Sequence, residues 1–114
     1  MKIIISGKNI KLDEPLKVFV EDKIGGLEKF LGKGPSTSLR TSPIETRVEI
    51  GLPSKHHHSG NIFYAEVNLK IGGKLLRATC QHEDLRNAIV DAKNELQRQL
   101  KKFKDKKRDL SRKP

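Results

Sequence analysis

The chain has no tryptophan, one tyrosine, one cysteine and one methionine, and aromatics make up only 4% of its 114 residues. With Cys80 alone there can be no internal disulfide, so a reducing, cytoplasmic setting is expected. Cys80 falls in an apolar strand pattern, which reads as a buried core thiol rather than a nucleophile. No long hydrophobic run is present. Ile3, Ile4 and Ile5 form the N-terminal apolar run, too short for a signal peptide or a membrane span, so no membrane partner is expected. The scarcity of aromatics, with Tyr64 alone expected to face outward, argues against base-stacking recognition of single strands.

Signs of catalysis are also missing. No glycine-rich phosphate loop enters a helix, and Gly72–Gly73 reads as a hairpin turn. No Ser or Cys lies in a recognisable nucleophile setting. The carboxylates are interleaved with Lys and Arg, the pattern of solvated ion pairs. An enzyme, a cofactor and a small-molecule substrate are therefore not expected. The stretch KHHHSG, residues 55–60, is the one place where a metal-dependent hydrolase could be argued. Adjacent side chains in an extended loop diverge, however, and zinc ligands normally come from spaced positions. Lys55, His56, His57 and His58 read better as a polar loop that meets phosphate or stacks on bases.

Positive charge is abundant: 24 Lys and Arg against 14 acids, a net charge of +10. It is also concentrated. Residues 98–114 hold nine Lys and Arg against Asp105 and Asp109, whereas the rest of the chain holds fifteen against twelve acids. Such a distribution suggests an anionic partner, nucleic acid before an acidic membrane surface. The basic end is not a structureless tail. In EDLRNAIVDAKNELQRQLKKF, Leu85, Ala88, Ile89, Ala92, Leu96, Leu100 and Phe103 recur at steps of three and four, which places them on one arc of a helix. Glu83 and Asp84 supply a cap and first-turn negative charge. Arg86, Lys93, Lys101, Lys104 and Arg108 share a second stripe beside the apolar arc, with Arg98, Lys102 and Lys106 farther round. The helix is expected to fray beyond about Lys107.

Upstream, KIIIS reads as a β-branched strand ended by Gly7. LDEPLKVFVEDKIGGLEKFL reads as a helix with Asp13 or Glu14 as cap, Pro15 in its first turn and a weak point at Gly25–Gly26. Its apolar face is Leu16, Phe19, Val20, Ile24, Leu27, Phe30 and Leu31, and its lysines are matched by Glu14, Glu21, Asp22 and Glu28. Residues 32–43 are a loop rich in Gly, Ser, Thr and Pro, expected to be mobile. ETRVEIGL, NIFYAEVNLKI and KLLRATCQ alternate as strands. The fold class is α/β, an α+β two-layer sandwich: β-α-β-β-β-α, with a four-stranded sheet carrying two helices on one face. One domain is expected over residues 1–107, followed by a basic tail at 108–114.

Three stretches carry a family resemblance: ISGKNIKLDEPLKVFVEDKIGGLEKFL, IGLPSKHHHSGNIFYAEVNLKIGGKLLRA and HEDLRNAIVDAKNELQRQLKKFKDK. In this order they resemble the ribosome hibernation-promoting factor and ribosome-associated inhibitor A family, in its short form. The resemblance implies a fold like that of double-stranded-RNA-binding domains. It also implies binding to the small ribosomal subunit and its ribosomal RNA, in the channel for messenger and transfer RNA, which silences ribosomes in stationary phase or stress. By the resemblance, Arg98, Lys102 and Lys106 match basic positions of the family's second helix. Arg86, Lys93, Lys101, Lys104 and Arg108 are added from the charge stripe, and Lys55, His56 and His57 from the loop. A monomer is expected when free, and a stand-alone double-stranded-RNA-binding module is the alternative. Because doubling a loop's length costs only about 0.6 kcal/mol, replacing residues 34–43 by a short Gly-Ser linker should barely move the thermal midpoint. A loss of several kcal/mol would show that the segment packs on the core.

Overall fold

The computed structural model describes residues 2–31, 44–53, 62–71 and 73–112, with the side chains of Leu31 and of residues 106–112 left out. The expected mobile loop at 32–43 lies outside the described residues. The elements are β1 (Lys2–Lys8), α1 (Glu14–Gly25), a 3₁₀ segment (Gly26–Leu31), β2 (Glu45–Gly51), β3 (Phe63–Ile71), β4 (Lys74–His82) and α2 (Leu85–Arg112). The sheet order is β1-β2-β3-β4, parallel between β1 and β2 and antiparallel thereafter. A parallel pair needs a crossover, and α1 lies in that connection.

Local chemistry sets the element ends. The Asp13 carboxylate accepts from the Leu16 N–H at 2.9 Å, so Asp13 rather than Glu14 caps α1, and Pro15 follows in the first turn. The expected single helix does not run through Gly25–Gly26. It stops there and continues as 3₁₀, because two glycines leave the helical backbone with little to hold it. The tighter turn buries Leu27 completely and sets Phe30 against the core. β1 does not end at Gly7 but continues to Lys8, whose carbonyl accepts from Leu52 N–H at 3.0 Å. At that point β2 comes so close that a Cβ on Gly51 would collide with the Lys8 carbonyl. Ile71 pairs with Lys74 across the hairpin, and Gly73 takes the φ of +77° that such a turn requires.

Alternation then sorts the sheet into two faces. Val48, Ile50, Ala65, Val67, Leu69, Leu76 and Ala78 are buried against Ala88, Ile89, Ala92, Leu96 and Leu100 of α2 and Leu16, Val20 and Ile24 of α1. Cys80 shares that face but is half-buried, not the fully enclosed thiol expected, because β4 is the edge strand. Burial and the charges of Asp91 and Glu95 raise its pKa, which disfavours the reactive thiolate. The other face is exposed to solvent, and its central carboxylates have partners. Glu49 and Glu66 stand directly opposite each other, a repulsive register. Tyr64 relieves one by donating its hydroxyl to Glu49 at 2.9 Å, and Arg77 approaches the other at 3.2 Å. Desolvation and these carboxylates push the Tyr64 phenol up to about 12.

α2 continues helically to Arg112, so the segment expected as a tail from residue 108 begins inside the helix, and there is no break at Lys107. Its Asp84 caps the N-terminus through the Asn87 N–H at 3.1 Å. Among the described residues one core position breaks the apolar pattern: the Thr46 hydroxyl is fully buried and finds no hydrogen-bond partner among them. An unsatisfied buried hydroxyl costs about 1–3 kcal/mol. Thr46→Val, which keeps the shape, should therefore raise unfolding stability by about 1 kcal/mol in urea, and a loss of stability would reveal a partner for the hydroxyl in solution.

Candidate nucleic-acid interface

Rotation of α2 about its axis is set by its buried arc, and this divides the remaining side chains into two flanks. Contacts identify each flank. The Arg86 guanidinium lies 4.8 Å from the centroid of the Phe19 ring on α1, so the stripe containing Arg86 faces α1. Gln99 donates its side-chain amide to the Arg77 carbonyl at 2.8 Å, so the opposite flank faces the β4 edge.

The flank toward α1 reads Arg86, Val90, Lys93, Gln97, Lys101 and Lys104, without an acid. Arg86, Lys101 and Lys104 are exposed and Lys93 is half-buried, its ammonium 3.5 Å from the Asn94 side-chain oxygen. The flank toward β4 mixes Asp91, Glu95 and Asp105 with Arg98 and Lys102. Here Arg98 is engaged: its guanidinium donates twice to the Glu95 carboxylate, at 2.6 and 3.0 Å. Glu95 also accepts from Gln99 at 3.2 Å. The Arg98 hydrogen bonds, then that of Gln99, hold the Glu95 carboxyl down at about 2, and the same pairing raises the Arg98 pKa.

The expected site residues thus separate. Arg86, Lys93, Lys101 and Lys104 come together on one flank, and Arg98 and Lys102 on the other. Lys106 and Arg108 lie in the last turns of α2, with their side chains outside the described part. Lys55, His56 and His57 lie outside the described residues altogether. Among the described residues no three or more of His, Cys, Asp and Glu gather as a metal cage, and no helix is long and apolar enough to cross a membrane.

Sequence reasoning missed the part that aromatics play. Tyr64 is not alone in reaching the surface layer: Phe19, Phe30 and Phe103 are half-buried, and each lies under a cation. Lys23 lies 5.6 Å from the Phe19 centroid, Lys29 5.2 Å from that of Phe30 and Lys74 5.8 Å from that of Phe103. Lys23, expected to be balanced by the acids of α1, makes no ion pair with a described residue and rests on the ring instead. The spacing of Phe19 and Lys23, four apart on one helix, was the available signal. Nothing in the sequence linked Arg86 to either.

Residues 3–108 match the family described as "Sigma 54 modulation protein / S30EA ribosomal protein". The chain is 31% identical over 106 residues to the ribosome hibernation promotion factor of Bacillus subtilis, covering 93% of this chain and 50% of that protein. It is 28% identical over 100 residues to that of Deinococcus radiodurans, covering 88% of this chain and 47% of that one. The chain therefore spans about half the length of these curated relatives. Among solved structures, the N-terminal domain of Thermus thermophilus Protein Y superposes with a TM-score of 0.67 at 24% identity, over 90% of this chain and 99% of that one, a likeness of fold.

The Glu95–Arg98 pair yields a sign-definite expectation. Because the folded carboxyl is depressed from 4.5 to about 2, its contribution is present above its ordinary pKa and is lost as pH falls through about 2. An NMR titration should find Glu95 still ionised at pH 3, and Arg98→Gln should return it toward the ordinary carboxylate range. An unchanged titration in that variant would show that the pairing does not hold in solution.

Proposed function

The chain belongs to the sigma 54 modulation protein / S30EA ribosomal protein family, and from that premise we propose that it is a ribosome hibernation factor. In this reading it binds the small ribosomal subunit through ribosomal RNA and occupies the channel of messenger and transfer RNA. It silences idle ribosomes in the cytoplasm, in stationary phase or under stress. The mechanism is steric. A folded domain fills the space, phosphate contacts hold it there, and no bond is made or broken.

The observation that carries the reading is the acid-free flank of α2. A row of cations with no carboxylate among them gains most from a polyphosphate partner, since no internal partner must first be displaced. On the open sheet face, by contrast, cations stand beside acids: Arg77 pairs with Glu66 across strands and Arg47 with Glu45 within β2. The small number of aromatics fits a partner read through its backbone and shape, as folded RNA is. The free chain is taken as a monomer, and its cations as the binding groups: Arg86, Lys93, Lys101 and Lys104 on the α1 flank, Arg98 and Lys102 across the helix, Lys106 and Arg108 beyond, and Lys55, His56 and His57 from the loop.

If about six of these each neutralise one phosphate, log K for small subunits should fall against log salt with a slope of roughly −4 to −5. Reversing Lys93, Lys101 and Lys104 to Glu should flatten that slope and abolish inhibition of translation in a purified system, with circular dichroism unchanged. Reversing Lys2, Lys8 and Lys70, exposed on the far side of the sheet, should do much less. Cosedimentation is run with excess duplex RNA as competitor. Loss of binding to the competitor would favour a general duplex-binding module, and full inhibition by both variants would reduce the basic helix to a solvated face.

A further inference from the structure

We infer that Phe19 is the platform of a phosphate-binding clamp made by Arg86 and Lys23 across the junction of α1 and α2, an inference that rests on the nucleic-acid-binding reading above and assigns one subsite within it. Two cations from two different helices share one ring: the Arg86 guanidinium at 4.8 Å and the Lys23 ammonium at 5.6 Å from its centroid. Like charges drawn to one place repel, and attraction of each to the electron-rich ring offsets that repulsion. Among the described residues neither cation makes a hydrogen bond or an ion pair, so the donors of the guanidinium fork and of the ammonium remain available to an anion.

Arg86 also stands against an electrostatic preference. It stands in the first turn of α2, which contains no acidic residue. The positive end of a helix dipole disfavours a cation there. Asp84, an acid that could compensate, is committed to the cap through the Asn87 N–H, and among the described residues no ion pair joins it to Arg86. The carboxylates of Asp13 and Glu83 line the adjoining groove with Arg86, and among the described residues neither forms an ion pair with it. A local preference is thus broken in the free protein, as happens where a ligand supplies the missing partner. A phosphodiester oxygen supplies it in three ways: it meets two cations and lies toward the positive end of the helix.

Phe19 is in this view a positioning residue, since it carries no charge and fixes where two charges stand. Half-buried at the margin of the core, it holds its own orientation by packing. The apolar face of α1 would be served equally by leucine at this position; the clamp would not.

The test uses the full chain, with purified small ribosomal subunits and, separately, inorganic pyrophosphate as probes. Phe19→Leu should keep the circular dichroism spectrum and weaken subunit binding by about two- to fivefold, the scale of one exposed cation–aromatic contact. Phe19→Tyr should restore binding. Arg86→Gln should lower the magnitude of the salt slope by about one, and adding Phe19→Leu to it should bring little further loss. Pyrophosphate should shift the Arg86 side-chain N–H resonance saturably in the wild type and not in Phe19→Leu. If subunits are not bound at all while the pyrophosphate shift persists, the functional reading fails and the clamp stands. If the wild type binds subunits and Phe19→Leu binds them equally well with an unchanged slope, or if the two substitutions are additive, the clamp is overturned.

Discussion

The contact on which the structure depends is the burial of one arc of α2 in the sheet. Ala88, Ile89, Ala92, Leu96 and Leu100 are all fully enclosed, opposite strands whose inward positions are almost wholly aliphatic. Each large aliphatic side chain so buried contributes roughly 1.5–3 kcal/mol. Turning the helix by a fraction of a turn would expose part of this arc and draw charged neighbours into the core. Hydrophobic burial therefore determines, without any electrostatic instruction, which charges stand on which side. The two flanks, one purely basic and the other mixed, follow from a packing constraint.

Charge pairing is distributed according to what each surface must tolerate. On the open sheet face the register brings Glu49 and Glu66 together, and Tyr64 and Arg77 settle them locally. At the β4 edge, Gln99 occupies an outward carbonyl, Arg98 is held by Glu95, and an exposed strand edge is partly covered. Along the α1 flank of α2 the cations have no acid of the helix among them, and there the Phe19 ring draws Arg86 and Lys23 as acids draw cations elsewhere. A ring attracts a cation without neutralising it, so the surface remains positive toward an approaching polyanion.

Much of this was legible in the chain. The period of α2, the alternation of β2 to β4 and the Gly72–Gly73 hairpin all led to the observed order, because each depends on local geometry repeated over several residues. The departures occur where a local signal met a tertiary one. By propensity Gly25–Gly26 is a weak point within one helix; in the structure the helix ends there, and the change to 3₁₀ allows Leu27 to reach the core. Cys80 has the pattern of a core residue, yet its strand lies at the sheet edge, and strand order is not written in alternation.

The candidate interface divides in the same way. Which residues are cationic, and that they cluster at one end of the chain, was determined by the sequence alone, since charge is a property of residue type and helical spacing a property of the backbone. Which of those cations have partners was decided only by the tertiary structure. Arg98 and Arg86 look equivalent in the sequence, but one meets Glu95 within its own helix and the other meets Phe19, distant in the chain. The physical reason is that pairing falls off over a few ångströms while the sequence records order, and only the packing of α1 against α2 turns distant positions into neighbours.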